Sequence, residues 1–162
     1  MSDMDESGSL LDGILAVTHP ELYAISQALV DRILAEKRCS AATEGMRSWP
    51  TSFNSVQVIV NRLSRLHRDK NTCPGWSDLL ATLGTYGEQA VLELNNLGVS
   101  VPYDSGTVAV ICSRIIRHGV PKVEGDRVCY AWYMVQNVHT WFEMPEPGFA
   151  DVTKVATMHE FE

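Results

Sequence analysis

Apolar residues recur at helical spacing along the chain as far as Gly119, and beyond it the pattern becomes that of strands. This change constrains the fold most, because stripes of period 3.6 and period two belong to different elements. Over residues 18–38, Leu22, Ile25, Leu29 and Ile33 share one face. Thr18 and Glu21 there form a capping box, with Pro20 in the first turn. Val56, Ile59, Val60, Leu63 and Leu66 repeat the spacing, so a second helix is expected over 53–70. Segments 77–84 and 85–98 read as short helices, and 104–119 as another, capped by Asp104 or Ser105. After Gly119, Val, Tyr, Trp, Phe and Thr are punctuated by Gly-Asp and Pro-Glu-Pro-Gly, which predicts three or four antiparallel strands. The expected class is α+β: an N-terminal region of four to five helices packed on a small C-terminal antiparallel sheet. Residues 1–8 are expected as a flexible acidic tail and 9–162 as one domain, mainly helical over 9–118 and mainly β over 119–158.

Charge narrows the partners. The 162 residues carry 20 acidic and 13 basic side chains, a net charge of −7. Nucleic acid and anionic membrane surfaces are therefore not expected partners. No apolar run approaches the ~18 residues that span a bilayer. The start of the chain is acidic where a signal peptide is basic. Cys39, Cys73, Cys112 and Cys129 show neither zinc nor disulfide-framework spacing, which points to free thiols and a cytoplasmic location. No phosphate-cradling glycine loop, dinucleotide fingerprint or His-Glu-x-x-His motif occurs, so no cofactor is expected. On a strand, His139 and Glu143 would stand roughly 13 Å apart, too far to share a metal ion.

Two surfaces are candidate partner sites. Arg62, Arg65 and Arg68, with Lys70, form one ridge of the expected second helix, flanked by His67 and Asp69. The ridge suits an acidic protein segment or a phosphate-bearing partner, and the plain alternative is a solvated helix face. Trp132 and Tyr130 share one face of an expected strand, which would bind a protein or peptide or support a homo-oligomer if left uncovered.

Gly119-Val120-Pro121, then His139-Thr140-Trp141-Phe142-Glu143, then the segment from Gly148 to Thr153 give the chain a likeness to a known family. Residues 104–153 resemble the core of the transglutaminase-like, papain-type superfamily of cysteine hydrolases. In that family a cysteine-bearing helix precedes a Gly-Ile-Pro turn, and later strands carry the catalytic histidine and a third polar residue. The resemblance implies a cysteine hydrolase or acyl transferase with Cys112 as nucleophile, His139 as base and Asp151 as orienting group. Asp104 or Ser105 stands at the family's cysteine position, so Cys129 and Ser105 are alternative nucleophiles, and a catalytically degenerate domain fits the same residues. The competing reading is a non-enzymatic interaction or oligomerising protein that uses the arginine ridge or the aromatic sheet face.

Overall fold

The computed structural model describes residues 4–36, 40–86, 90–151 and 153. Helices α1 (Asp5–Thr18), α2 (Pro20–Ala35) and α3 (Ser40–Arg47) come first. Among the described residues eight strands follow: β1 (Ser55–Val60), β2 (Ser64–His67), β3 (Asp78–Gly84), β4 (Val91–Leu94), β5 (Val99–Pro102), β6 (Val108–Ile111), β7 (His118–Val120) and β8 (Arg127–Tyr133). A short helix, α4 (Gln136–Trp141), comes after them. The chain divides into two compact units, one from Met1–Asn54 with Val135–Glu162 and the other from Ser55–Met134.

In the first unit, α2 occupies the segment where the apolar stripe predicts it. Its cap is His19 rather than Thr18: the His19 ring Nδ1 accepts the Leu22 N–H at 3.3 Å, while the Thr18 hydroxyl donates back to the Ile14 carbonyl at 2.8 Å. Leu29 and Ile33 pack with Met144, and Ile25, Met46, Val138 and Phe142 surround them. The Asp12 carboxylate ties α1 to the loop before β1, accepting from the Thr51 hydroxyl at 2.7 Å and the Ser52 N–H at 2.9 Å. The helix α1 begins at Asp5, inside the stretch read as a tail.

The second unit is built from strands. One antiparallel sheet has the order β1-β8-β3-β6 and the other β2-β7-β4-β5. The pairs β1·β8, β2·β7, β3·β6 and β4·β5 are nested like a hairpin folded over on itself, which is the jelly-roll arrangement. Leu80, Ile111 and Cys129 from one sheet and Leu92 and Val120 from the other meet in a single buried cluster with Tyr86, Ala90 and Tyr103.

This architecture overturns the expected fold class. Strands β1 to β8 lie between 55 and 133, where helices were expected over 53–70, 77–84, 85–98 and 104–119, and among the described residues no strand follows β8. Over 55–60 the helical spacing coexists with a run of β-branched side chains, stiff at χ1 and suited to a pleated surface. Asn61 then takes a left-handed φ of 48°, which a helix interior does not tolerate. The central strand β3 lies between β8 and β6, so Leu79, Leu80 and Thr82 are all buried, and a run buried on both faces looks helical to a periodicity argument. Conversely, residues 136–141, read as strand, form α4, and Glu143 with φ 52° turns the chain beyond it. Among the described residues no helix is long and apolar enough to cross a membrane.

Candidate metal centre

Strands β2 and β7 pair so that His67 stands directly opposite His118. Between this pair and Ser64↔Val120 the register shifts, and such a bulge re-aims side chains next to it. Close approach of the two backbones is possible because Gly119 has no Cβ; one built there would lie 2.7 Å from the Ser64 carbonyl oxygen. The two imidazole centroids are 4.4 Å apart.

The ring orientation of each histidine is set from behind. His67 Nδ1–H donates to the Arg65 carbonyl at 2.7 Å, and His118 Nδ1–H donates to the Ile116 carbonyl at 3.0 Å. A carbonyl can only accept, so both rings carry the proton on Nδ1 and present the Nε2 lone pair. Those Nε2 atoms face the Asp69 carboxylate, at 3.5 Å for His67 and 3.9 Å for His118. One ligand atom from each of the three residues lies within 4.8 Å of the others. Burial pushes the His118 pKa below its ordinary value, against the Ile116 hydrogen bond, and so favours the neutral, ligating form.

Asp69 is held by the loop before β7. Its N–H donates to the Ser113 carbonyl at 3.1 Å, and Arg114 donates to the Lys70 carbonyl at 2.9 Å. The Ser113 hydroxyl donates to the buried carboxylate of Asp78, which also accepts from Thr72 at 3.4 Å. Burial raises the Asp78 pKa to about 7, with the hydrogen bond from Ser113 opposing the rise.

A cavity of about 50 Å³ is lined in part by the triad and by Arg127 at the start of β8. Arg127 is 3% exposed. Its Nε–H donates to the Thr82 hydroxyl at 2.9 Å, which is also 2.8 Å from the Tyr86 hydroxyl, and the guanidinium lies over the Tyr103 ring at 5.1 Å. Among the described residues no carboxylate pairs with it. Two imidazoles and one carboxylate on one side of a cavity are the donor set of a facial iron(II) site, and a buried guanidinium nearby suits a bidentate carboxylate. The residues present therefore fit a divalent metal together with a carboxylic acid co-substrate.

The sequence-predicted site residues are not assembled in this way. Cys112 and Cys129 lie in the strand unit and His139 and Asp151 in the other. Cys112 is half-buried, and burial together with Asp78 raises its thiol pKa, the opposite of nucleophile activation. Cys129 is buried with its sulfur 3.7 Å from the Tyr103 hydroxyl. His139 is buried on α4, and burial lowers its pKa to about 4. Asp151 accepts from the Thr153 N–H at 2.9 Å in a local turn, and Ser105 accepts from the Gly84 N–H at 3.0 Å in the turn before β6. Trp132 is 3% exposed, so it offers no aromatic face. Arg62 lies in the β1–β2 loop, Arg65 on β2 and Arg68 just beyond it, so they form no helical ridge. Cys39 lies outside the described residues.

Reading 53–70 as a helix hid the centre. The signal available was the pair His67-x-Asp69, with His118 and then Arg127 further along. On an extended chain a spacing of two puts both side chains on one side.

A family profile described as the oxygenase domain of the 2OGFeDO superfamily (Tet_JBP) matches residues 1–137, which include His67, Asp69, His118 and Arg127. Among solved structures, the one described as NgTET1 in complex with 5mC DNA superposes with a TM-score of 0.52 at 16% identity. That match covers 99% of this chain and 62% of the other, so the chain spans under two thirds of its structural neighbour. No curated protein matches. These findings overturn the transglutaminase-like resemblance and, with it, the cysteine hydrolase or acyl transferase it implied and the non-enzymatic alternative.

Proposed function

Because the chain belongs to the Tet/JBP family of 2OGFeDO-superfamily oxygenase domains, we propose that it is an iron(II)- and 2-oxoglutarate-dependent oxygenase that oxidises a methylated base in DNA. The convergence of His67, Asp69 and His118 within 4.8 Å, beside a buried arginine in one cavity, carries this reading. The DNA substrate rests on the ligand named for the NgTET1 structure, and it replaces the expectation, from net charge alone, that nucleic acid is no partner.

His67 Nε2, His118 Nε2 and an Asp69 oxygen would hold the metal. Bound there, iron(II) and 2-oxoglutarate supply the oxidising power that places one oxygen atom of O2 on a substrate C–H and the other in succinate, with loss of CO2. The chain's own residues position these partners. The Arg65 and Ile116 carbonyls fix the imidazole tautomers, and the Ser113 carbonyl fixes the Asp69 main chain. Arg127 would clamp the distal carboxylate of 2-oxoglutarate, its own orientation fixed by Thr82 and Tyr103. Cys73, Cys112 and Cys129 are free thiols, in keeping with a reducing, cytoplasm-like compartment.

The test pairs binding with product. Mn(II) titrated into the protein should bind at one site, and Asp69→Ala should abolish that binding. Loaded with iron(II), 2-oxoglutarate and ascorbate, the wild type should add one oxygen to a 5mC oligonucleotide, read by mass spectrometry of the digested nucleosides. Mn(II) binding unaffected by Asp69→Ala would remove the metal centre. Oxygen-free product with succinate still released would remove DNA as the substrate.

A further inference from the structure

We propose that the cleft beside the triad, floored by Arg68, Lys70, Arg114 and Arg117, is the seat of a phosphodiester of the DNA strand that delivers the substrate base. The inference rests on the functional reading above and adds to it the surface that holds the strand.

The chain is acidic overall, with a net charge of −7. At the mouth of the metal centre the balance inverts. An open cleft of about 460 Å³ is lined by six residues, His67 and Asp69 of the triad and four cations, Arg68, Lys70, Arg114 and Arg117. It shares Arg117 with a second cleft of about 720 Å³, whose lining includes Arg65 and Glu93. Five of the chain's 13 basic residues therefore border two adjoining clefts, where the acidic lining is one metal ligand and Glu93.

A solvated charge run does not account for the way these cations are set. Two chain segments cross-brace each other: Arg68 Nε–H donates to the Ile115 carbonyl at 2.9 Å, and Arg114 donates to the Lys70 carbonyl at 2.9 Å. The Asp69 N–H closes the same brace on the Ser113 carbonyl. Each guanidinium spends part of its fork on backbone and keeps other N–H groups for a ligand. Cations fixed before binding lose little freedom when they take up an anion. The Lys70 and Arg117 residues are exposed, and their side chains take no part in this brace, leaving them as point contacts for the strand.

Position selects the partner. The cleft and the metal centre share His67 and Asp69, so a base reaching the metal brings its own backbone phosphates to the cations. Phosphates in series match basic residues that continue past Arg117 to Arg65. Positive potential here also steers a polyanion toward an otherwise repelling protein.

Fluorescence anisotropy of a labelled 5mC duplex, across a salt series, tests this with the full chain. Wild type, Lys70→Gln/Arg117→Gln and the control Arg47→Gln would be compared; the double variant leaves the Arg68 and Arg114 brace intact. If each lost cation releases one phosphate contact, the log–log salt slope of the double variant should flatten by about 2, while Arg47→Gln should match wild type. Mn(II) affinity, read on the same samples, should be equal in all three. A double variant that binds Mn(II) normally with an unchanged slope overturns the cleft and leaves the oxygenase reading standing. Wild type that binds no Mn(II) overturns the oxygenase reading instead. Displacement of the duplex by polyglutamate as readily as by unlabelled DNA would overturn a phosphate seat in favour of an acidic-peptide surface. An RNA duplex that outcompetes DNA would overturn the choice of DNA.

Discussion

Thr82 has no chemistry of its own, yet its hydroxyl accepts the Arg127 Nε–H and touches the Tyr86 hydroxyl. Thr82→Val keeps the shape and removes the acceptor, which should leave Arg127 in the cavity with its fork misdirected. Hydrogen bonds to charged groups contribute about 1.5–3 kcal/mol, so the KM for 2-oxoglutarate should rise roughly tenfold or more, with kcat at saturation held within about twofold. Steady-state succinate release measures both, and a fall in kcat at constant KM would count against a positioning role. Asp78 gives a second residue-scale prediction. Its pKa rises from 3.8 to about 7 on folding, so between these values the native state holds a proton that the unfolded state has released. The stabilising contribution is complete below 3.8, falls as pH rises toward 7, and stays lost above it. Thermal melts of the metal-free protein should show that fall, and Asp78→Asn should remove it. A variant melting profile parallel to wild type across the window would contradict the assignment.

Between elements, the β2·β7 pair is the part of the fold on which the centre depends. Gly119 lies next to His118, and a Cβ there meets the Ser64 oxygen at 2.7 Å and the Leu66 nitrogen at 3.0 Å, both backbone atoms. Backbone in a paired strand cannot yield as a flexible side chain does. Gly119→Ala should therefore push β7 from β2, cost about 1–3 kcal/mol of stability, and weaken Mn(II) binding by separating His67 from His118. Calorimetry of Mn(II) binding at a temperature where the variant remains folded checks this. Unaltered affinity would mean that the strands absorb the methyl without moving the imidazoles.

Across the whole molecule, every proposed ligand of metal and co-substrate belongs to the Ser55–Met134 unit. Metal binding stabilises what it binds. Hydrogen exchange with saturating Mn(II) should thus slow in β2, in the Asp69 loop and in β7, with α1 and α2 unchanged. Slowing confined to α1 and α2 would place the metal elsewhere. The profile match to residues 1–137 spans both units, so both are parts of the family domain.

Read alone, the sequence located α2, because a long amphipathic stripe opened by Pro20 leaves little choice; Arg62, Arg65, Arg68 and Lys70 it read as a helical ridge for an acidic segment or a phosphate-bearing partner, or as a solvated face, and the ridge does not form. The sequence did not reveal that Arg68 and Lys70 line a cleft with His67 and Asp69, beside His118. His67 and Asp69 are two residues apart in the chain, but His118 and Arg127 reach them only through β7 and β8. Periodicity misled over 77–84 because β3 is buried on both faces, and over 55–60 because β-branched residues there fall at helical spacing while suiting a pleated strand. The likeness of His139-Thr140-Trp141 to a catalytic strand failed for a similar reason: six residues of backbone settle as α4 or as strand according to what they pack against. Sequence order determined which groups the chain carries. Which of them meet was decided by antiparallel pairing between strands distant in sequence, whose register no local pattern records.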